Sequence, residues 1–265
     1  MTRSDSVRLS DEEIERLDPY ALMAAIGKTV IHPGGRRSTD ELIALADFAA
    51  DEEVLDVGCG VGTTALLLAQ CFGCRVTAVD IDPRMVKQAK TRVAAAGLSD
   101  KIHVERGDIQ ALTYSSASFD RVVVEAVTMF VDRARAASEV VRVCRPGGRV
   151  LEHEFIYRRP PTPDVRRIFE GEVCPGIRFD SIDDWRQLFA AAGLVNLRHE
   201  SGPFVMMSIA GMWRDEGPKN LSRMMLTLAK RPAYVKKMAW LVPRMLRVRS
   251  YLGYVVLAGT RPVTA

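Results

Sequence analysis

The sequence has no apolar run approaching the roughly 18 residues that a bilayer-spanning helix needs, so it reads as a chain that does not cross a membrane. Its first residues, Met1 to Asp11, are polar and lack the apolar stretch of a secretion signal. Cysteines are few and unmatched. Cys59, Cys71, Cys74, Cys144 and Cys174 make an odd set, and the one close pair, Cys71 and Cys74, has no second pair or histidine cluster to complete a zinc site. Because Cys74 opens an apolar strand pattern, core packing explains that pair better than redox or metal chemistry. No metal ligand set is read from the spacing, and a reduced, cytoplasmic chain is expected. Net charge is also scarce: +4 over 265 residues does not by itself select a partner.

Apolar residues are plentiful, at 48%, enough for one sizeable α/β domain. From Asp51 onward, short β-branched runs alternate with helical stretches, which predicts a parallel sheet with helices on both faces. Strands are expected at Glu53 to Val57, Arg75 to Val79, Ile102 to Glu105, Arg121 to Glu125, Arg149 to Phe155, Leu194 to His199 and Tyr251 to Gly259. Helices are expected near Thr63 to Cys71, Pro83 to Ala96, Asp132 to Cys144 and Asp183 to Ala192. Asp82-Pro83 reads as an N-cap with proline in the first turn, and Gly97 and Gly193 stand where helix C-termini need a left-handed residue. Residues 1–50 read as a helical cap, Ser10 to Ile26 and Ser38 to Ala49, broken at Ile31-His32-Pro33-Gly34-Gly35; residues 51–265 form the main domain.

After the first strand, Gly58-x-Gly60-x-Gly62 lets the chain turn tightly into a helix while its backbone approaches a ligand. Alone, such a turn also suits a dinucleotide. There, however, the first and last glycines are five apart and face a pyrophosphate, whereas here the spacing is compressed and Asp56 precedes the first glycine. A carboxylate at that point suits a ligand carrying an ammonium and no phosphate, which favours S-adenosylmethionine (SAM) over NAD. Asp80 closes the second strand about twenty residues on, where ribose hydroxyls are gripped. A helix-capping role for it is already filled by Asp82. Asp108 and Ile109 follow the third strand and, with Ile81 opposite, outline an adenine slot.

The segment Val54-Leu55-Asp56-Val57-Gly58-Cys59-Gly60-Val61-Gly62, followed in order by Val79-Asp80-Ile81-Asp82-Pro83, Gly107-Asp108-Ile109, Phe119 to Ala126 and Arg145-Pro146-Gly147-Gly148-Arg149-Val150, resembles the class I SAM-dependent methyltransferases of the small-molecule type. The resemblance spans about Val54 to Gly259. It implies a Rossmann-like, seven-stranded, mostly parallel sheet whose last strand is antiparallel between the fifth and sixth. It also implies SAM as cofactor, held by Asp56, Gly58, Cys59, Gly60, Asp80, Ile81, Asp108, Ile109 and Glu125.

For the chemistry, Glu125 ends the fourth strand where this family faces the methyl donor. The following Val127-Thr128-Met129-Phe130 suggests an apolar acceptor pocket and lacks a nucleobase-amine motif. In Glu152-His153-Glu154 the two glutamates share one strand face; Glu154 is a candidate base, the alternative being solvated charges or a salt bridge to Arg158 or Arg159. His32 is a candidate base reaching in from the cap, or a turn histidine satisfied by backbone groups.

Between Phe204 and Tyr251 ten basic residues face two acids, Asp215 and Glu216, among Met206, Met207, Met212, Met224, Met225, Met238, Met245, Trp213 and Trp240. Residues 204–249 therefore read as an inserted, adaptable lid over a lipophilic acceptor, with peripheral contact to an anionic membrane as an option. Two helices covering the sheet with a solvated basic face are the alternative. The acceptor is expected to be a small, apolar or lipid-like molecule. The competing functions are an RNA-modifying or nucleic-acid-binding protein using the basic segment, an NAD-dependent dehydrogenase, and a non-catalytic SAM-binding scaffold. The sequence leaves the acceptor atom and the oligomeric state open.

Overall fold

A computed structural model of the chain describes residues 9–177 and 181–263. Two short helices, α1 (Asp11–Arg16) and α2 (Pro19–Ala25), precede α3 (Arg36–Ala46). The main domain then runs β1 (Glu53–Val57), α4 (Thr63–Phe72), β2 (Arg75–Asp80), α5 (Pro83–Ala95), β3 (Ile102–Arg106) and β4 (Phe119–Glu125). A 3₁₀ turn (Thr128–Phe130), α6 (Arg133–Val143), β5 (Cys144–Tyr157), α7 (Pro163–Arg166) and a π-helical stretch (Arg167–Val173) follow. The chain closes with α8 (Ile182–Ala191), β6 (Val195–Pro203), α9 (Ile209–Lys230), α10 (Pro232–Val248) and β7 (Leu252–Thr260).

The seven strands form one sheet in the order β3-β2-β1-β4-β5-β7-β6. β7 runs antiparallel to both β5 and β6, and the other pairings are parallel. The chain leaves β1 toward β2 and returns on its other side as β4. The crevice of an open α/β sheet lies at such a reversal, beyond the strand ends, so the glycine turn after β1 sits at its mouth.

Strand alternation sorts side chains between two cores. Leu55, Val57, Val122, Val124, Val150 and Leu257 pack on one face. Val54, Val123, Leu151, Val256 and Ala258 pack on the other with Leu42 and Ala46 of α3 and Leu68 of α4. Because successive residues face opposite sides, Asp56, Glu125 and His153 belong to the second face, while Glu152 and Glu154 belong to the first.

Three local differences from the expected elements have clear causes. The single helix expected over Ser10 to Ile26 is two, because the Asp18 carboxylate caps Tyr20 N–H and Ala21 N–H with Pro19 at the first position. The helix expected from Ser38 to Ala49 starts at Arg36, after Gly35 at φ 61°, and stops at Asp47, which is left-handed at φ 57°. Finally, β5 continues to Tyr157, so Glu154 lies inside the strand rather than at its end.

Candidate active site

The glycine turn is fixed from β2: the Val79 carbonyl accepts from Gly58 N–H at 2.8 Å and Cys59 N–H at 2.9 Å. Gly58, Gly60 and Gly62 all have positive φ, where a side chain is strained. A Cβ on Gly58 would stand 2.1 Å from Val127 Cγ2, whereas one on Gly60 would meet nothing within 4 Å. The turn is thus closed against protein at Gly58 and open toward space at Gly60, the cradle that a close-lying ligand requires. Asp80 accepts from Gly60 N–H at 2.9 Å and from Asp82 N–H at 2.8 Å, and Asp82 caps α5 through Arg84 N–H.

The space in front of the turn is a cavity of about 500 Å³, large enough for a small-molecule site. Asp80, Ile81, Asp108 and Ile109 line one part of it, while Tyr20, Val127, Phe130 and Cys174 line another. Ile81 is 58% exposed and Ile109 is buried; Asp108 accepts from Gln110 N–H within its own turn. A smaller cavity, about 90 Å³, is lined by Asp56, Cys59, Thr64, Arg36, His32 and Thr39 among others. Ile31, Gly58, Gly60, Met85 and Glu125 line both cavities, so Glu125 stands at their junction.

The electrostatics of the smaller cavity are set by burial. Asp56 is 2% exposed; burial, with Glu125 and Asp80 adding repulsion, pushes its carboxyl up to about 8, and only the Ala65 N–H opposes this. Its Oδ2 has no hydrogen-bond partner. Burial raises the Cys59 thiol well above its usual range, leaving it an uncharged wall. Glu125 behaves oppositely: burial pushes it up, but His32, His153 and the Thr64 hydroxyl outweigh that and hold it at about 2. Thr64 donates to Oε1 at 2.6 Å and Thr39 to Oε2 at 3.0 Å. Burial lowers His32 to about 3 despite the facing carboxylate. At neutral pH Glu125 is charged and His32 is neutral.

His32 is therefore brought to the site, but its ring is held by the Ser38 and Thr39 hydroxyls rather than by backbone groups. Glu152 and Glu154 do share a strand face, as expected from alternation, but both are buried under the 3₁₀ turn, where Thr128 N–H donates to Glu154 at 2.8 Å and Thr128 Oγ1 donates to Glu152. Burial raises both carboxyls. Neither is solvated and neither pairs with Arg158 or Arg159; Arg159 instead donates to Ser250. Neither lines the two cavities. The structure thus separates Glu154 from Glu125 by the thickness of the sheet.

The Met-rich segment also lies elsewhere than over the crevice. α10 packs on α1 and the π-helical stretch, and no residue of 204–249 lines either cavity. Met206, Met207 and Met245 instead bound a small gap beside Phe155 and Phe169. The segment reaches the site only indirectly, since Glu216 of α9 accepts from Thr29 N–H at 3.0 Å and Val30 N–H at 3.2 Å, and Asp215 from Arg36 N–H at 2.9 Å. The buried Lys28 ammonium joins both acids.

Three participants were not singled out from the sequence: His153, Thr39 and Thr64. His153 could have been found from register, because it is the direct partner of Glu125 on the neighbouring parallel strand. Thr39 has no local signal, since only the fold of α3 brings it to β4.

Residues 54–148 match a family model described as a methyltransferase domain. An uncharacterized protein of Haemophilus influenzae is 35% identical over 75% of this chain and 80% of its own length. Methyltransferase GfsG of Streptomyces halstedii is 30% identical over 86% of this chain and 81% of its own. Among solved structures, phosphoethanolamine N-methyltransferase 2 of Haemonchus contortus with bound S-adenosyl-L-methionine has a TM-score of 0.76 at 18% identity, covering 98% of this chain and 59% of that longer one.

Proposed function

Because the chain belongs to the class I SAM-dependent methyltransferases, we propose that it methylates a small, largely apolar acceptor seated in the larger cavity, between Tyr20, Val127 and Phe130. The observation that carries this reading is the continuity of one cavity from Asp80 and Asp108, beside the glycine turn, to that apolar wall. Residues 9–50 serve as a cap, contributing Tyr20, Ala24 and Ile31 to the larger cavity, and residues 51–265 form the catalytic domain.

In this reading Asp80 grips the ribose hydroxyls, Ile81, Asp108 and Ile109 hold the adenine, and Asp56 meets the ammonium of the methionine end through the smaller cavity. Bound in this way, SAM supplies an electrophilic methyl carbon. The protein's share is then positioning and exclusion of water, which count heavily when a lone pair must align with that carbon.

Glu125, at the junction of the cavities, and His32 are the groups that face the transfer point; Glu154 is not. With Glu125 held at about 2 and His32 at about 3, neither is a strong base at neutral pH.

The test is incubation with methyl-labelled SAM and a fractionated metabolite extract, with identification of the labelled product. Labelled protein-free product of low mass is expected, whereas cofactor binding without any product would leave a SAM-binding scaffold. Asp80→Ala should weaken SAM at least about 10-fold, the scale of a lost charged hydrogen bond, while the fold persists. Unchanged affinity would remove the ribose role.

A membrane-surface role for α9 and α10 rests on a separate observation: Ile209, Trp213, Met225, Leu226, Val235 and Leu246 are exposed there among lysines and arginines. Co-sedimentation with anionic but not neutral vesicles tests it. Use of the same segment for nucleic-acid phosphates is less favoured, since Arg231, Lys236 and Arg244 are already paired with Asp11, Glu15 and Glu172.

A further inference from the structure

Three side chains from separate parts of the chain converge behind the smaller cavity. Glu125 and His153 are cross-strand partners on β4 and β5, on the same sheet face, and His32 comes from the loop before α3. His32 Nε2 and His153 Nδ1 each lie 3.5 Å from the same oxygen, Glu125 Oε2. One ligand atom from each of the three residues can be chosen so that all lie within 4.8 Å of one another. The two rings are perpendicular, with centroids 4.6 Å apart.

This grouping is poorly satisfied as protein alone. His153 is fully buried; its Nε2 has no hydrogen-bond partner, and its Nδ1 makes no hydrogen bond of good geometry, only the 3.5 Å contact with Glu125 Oε2. Leaving such a group unpaired costs roughly 1–3 kcal/mol. The surroundings are arranged as a ligand set would need. Ser38 Oγ donates its proton to the Gly35 carbonyl at 2.8 Å, so toward His32 Nδ1 at 3.3 Å it can only accept. Ser38 thus suits the tautomer with the proton on Nδ1, in which Nε2 is free to ligate; Thr39 Oγ1, which gives its proton to Glu125, lies 3.1 Å from that Nε2. The carboxylate is held in turn by Thr39 and Thr64. Fixing a ligating histidine through its other nitrogen, and a ligating carboxylate through hydroxyls, is the usual outer support of a metal ion. Immediately after Glu125, Ala126 has φ 60°, a strained conformation of the kind that gathers at functional sites.

We propose that His32, Glu125 and His153 bind one divalent transition-metal ion, with a coordination position open to the smaller cavity that His32 and Glu125 line. Two imidazoles and one carboxylate suit zinc, cobalt(II) or iron(II); magnesium and calcium prefer oxygen ligands throughout. Three protein ligands with an open position is the arrangement of catalytic rather than structural zinc. The site goes beyond the SAM reading and does not depend on it.

The test uses the full-length protein, stripped with chelator and without SAM, titrated with Zn²⁺ and Co²⁺ by calorimetry and visible absorption. One equivalent should bind, Co²⁺ should show ligand-field bands, and Mg²⁺ should give no heat. His32→Ala and Glu125→Gln should each weaken binding at least about 10-fold, and Ser38→Ala about 10- to 100-fold through the lost outer support, with native circular dichroism. His103→Ala, at the exposed His103–Glu105 pair, should change nothing. Absence of stoichiometric binding, or binding that follows His103 and ignores His32 and Glu125, would overturn the proposal.

Discussion

Replacing Asp56 by asparagine should stabilise the ligand-free protein and weaken its cofactor, with both effects set by pH. The Asp56 carboxyl is raised from 3.8 to about 8 by burial first and by Glu125 and Asp80 next. Between those values the native chain holds a proton that the unfolded chain has released, so stability is full below 3.8 and falls as pH rises toward 8. At about 1.4 kcal/mol per unit, the loss by pH 7 is about 4 kcal/mol. Asparagine cannot ionise in either state and escapes that loss, but its amide brings an extra buried donor beside an atom that already lacks a partner, costing about 1–3 kcal/mol. The expected net gain is therefore roughly 1–3 kcal/mol at pH 7, vanishing or reversing at pH 4. Urea unfolding of both proteins across pH 4 to 8 measures it, and a difference that does not widen with pH refutes the assignment. Cofactor titration in buffers of different ionisation enthalpy gives the second half. An ammonium seated against Asp56 should expel about one proton at pH 7 from the wild type and none from the variant.

The two glycines of the turn should separate fold from function. Gly58→Ala places a Cβ against Val127 at 2.1 Å and should destabilise by about 1–3 kcal/mol as an overpacked, left-handed site; Gly60→Ala, facing open space, should cost about 1 kcal/mol by thermal unfolding yet lose SAM binding. Equal effects on both measurements would show that Gly60 does not face the ligand. Lys28→Met should destabilise by about 3–5 kcal/mol in urea, because Asp215 and Glu216 stay buried without their cation; a neutral result would mean that the acids are protonated or sustained by backbone donors alone. Glu154→Gln exchanges a buried, raised carboxyl for its neutral isostere and should leave turnover within about two-fold, since Glu154 lines neither cavity. A rate loss above about 10-fold with an intact fold would return it to the chemistry.

The sheet was readable because its central strands β1, β4 and β7 each carry their own evidence, a short β-branched run largely buried on both faces and bounded by a turn signal, whereas the edge strand β6 is largely exposed. The grouping of residues around the glycine turn was readable for a related reason. Gly58, Gly60, Asp80 and Asp108 sit at fixed offsets from strand ends, so local spacing places them around one crevice. The break between α1 and α2 was equally local, in Asp18-Pro19, but the apolar periodicity running through it hid it.

What escaped local reading depends on which face of the sheet a residue occupies and on which distant element covers that face. Glu154 and Glu125 both lie near strand ends, yet parity sends Glu154 under Thr128 and Glu125 toward α3. The Met-rich segment misled for the opposite reason. Methionine and basic residues describe an adaptable surface without saying where it lies, and here Met224 and Met245 are buried against neighbouring helices while Trp213 and Met225 face solvent. Its link to the site runs through charge and backbone: Asp215 and Glu216, the two acids of that basic stretch, hold the loop carrying His32 together with the Val205 and Met206 N–H groups, which donate to the Pro33 carbonyl. An acid that interrupts a run of cations is therefore more informative than the run, because burying it requires a specific partner, and in this chain the partner is Lys28, four residues before His32.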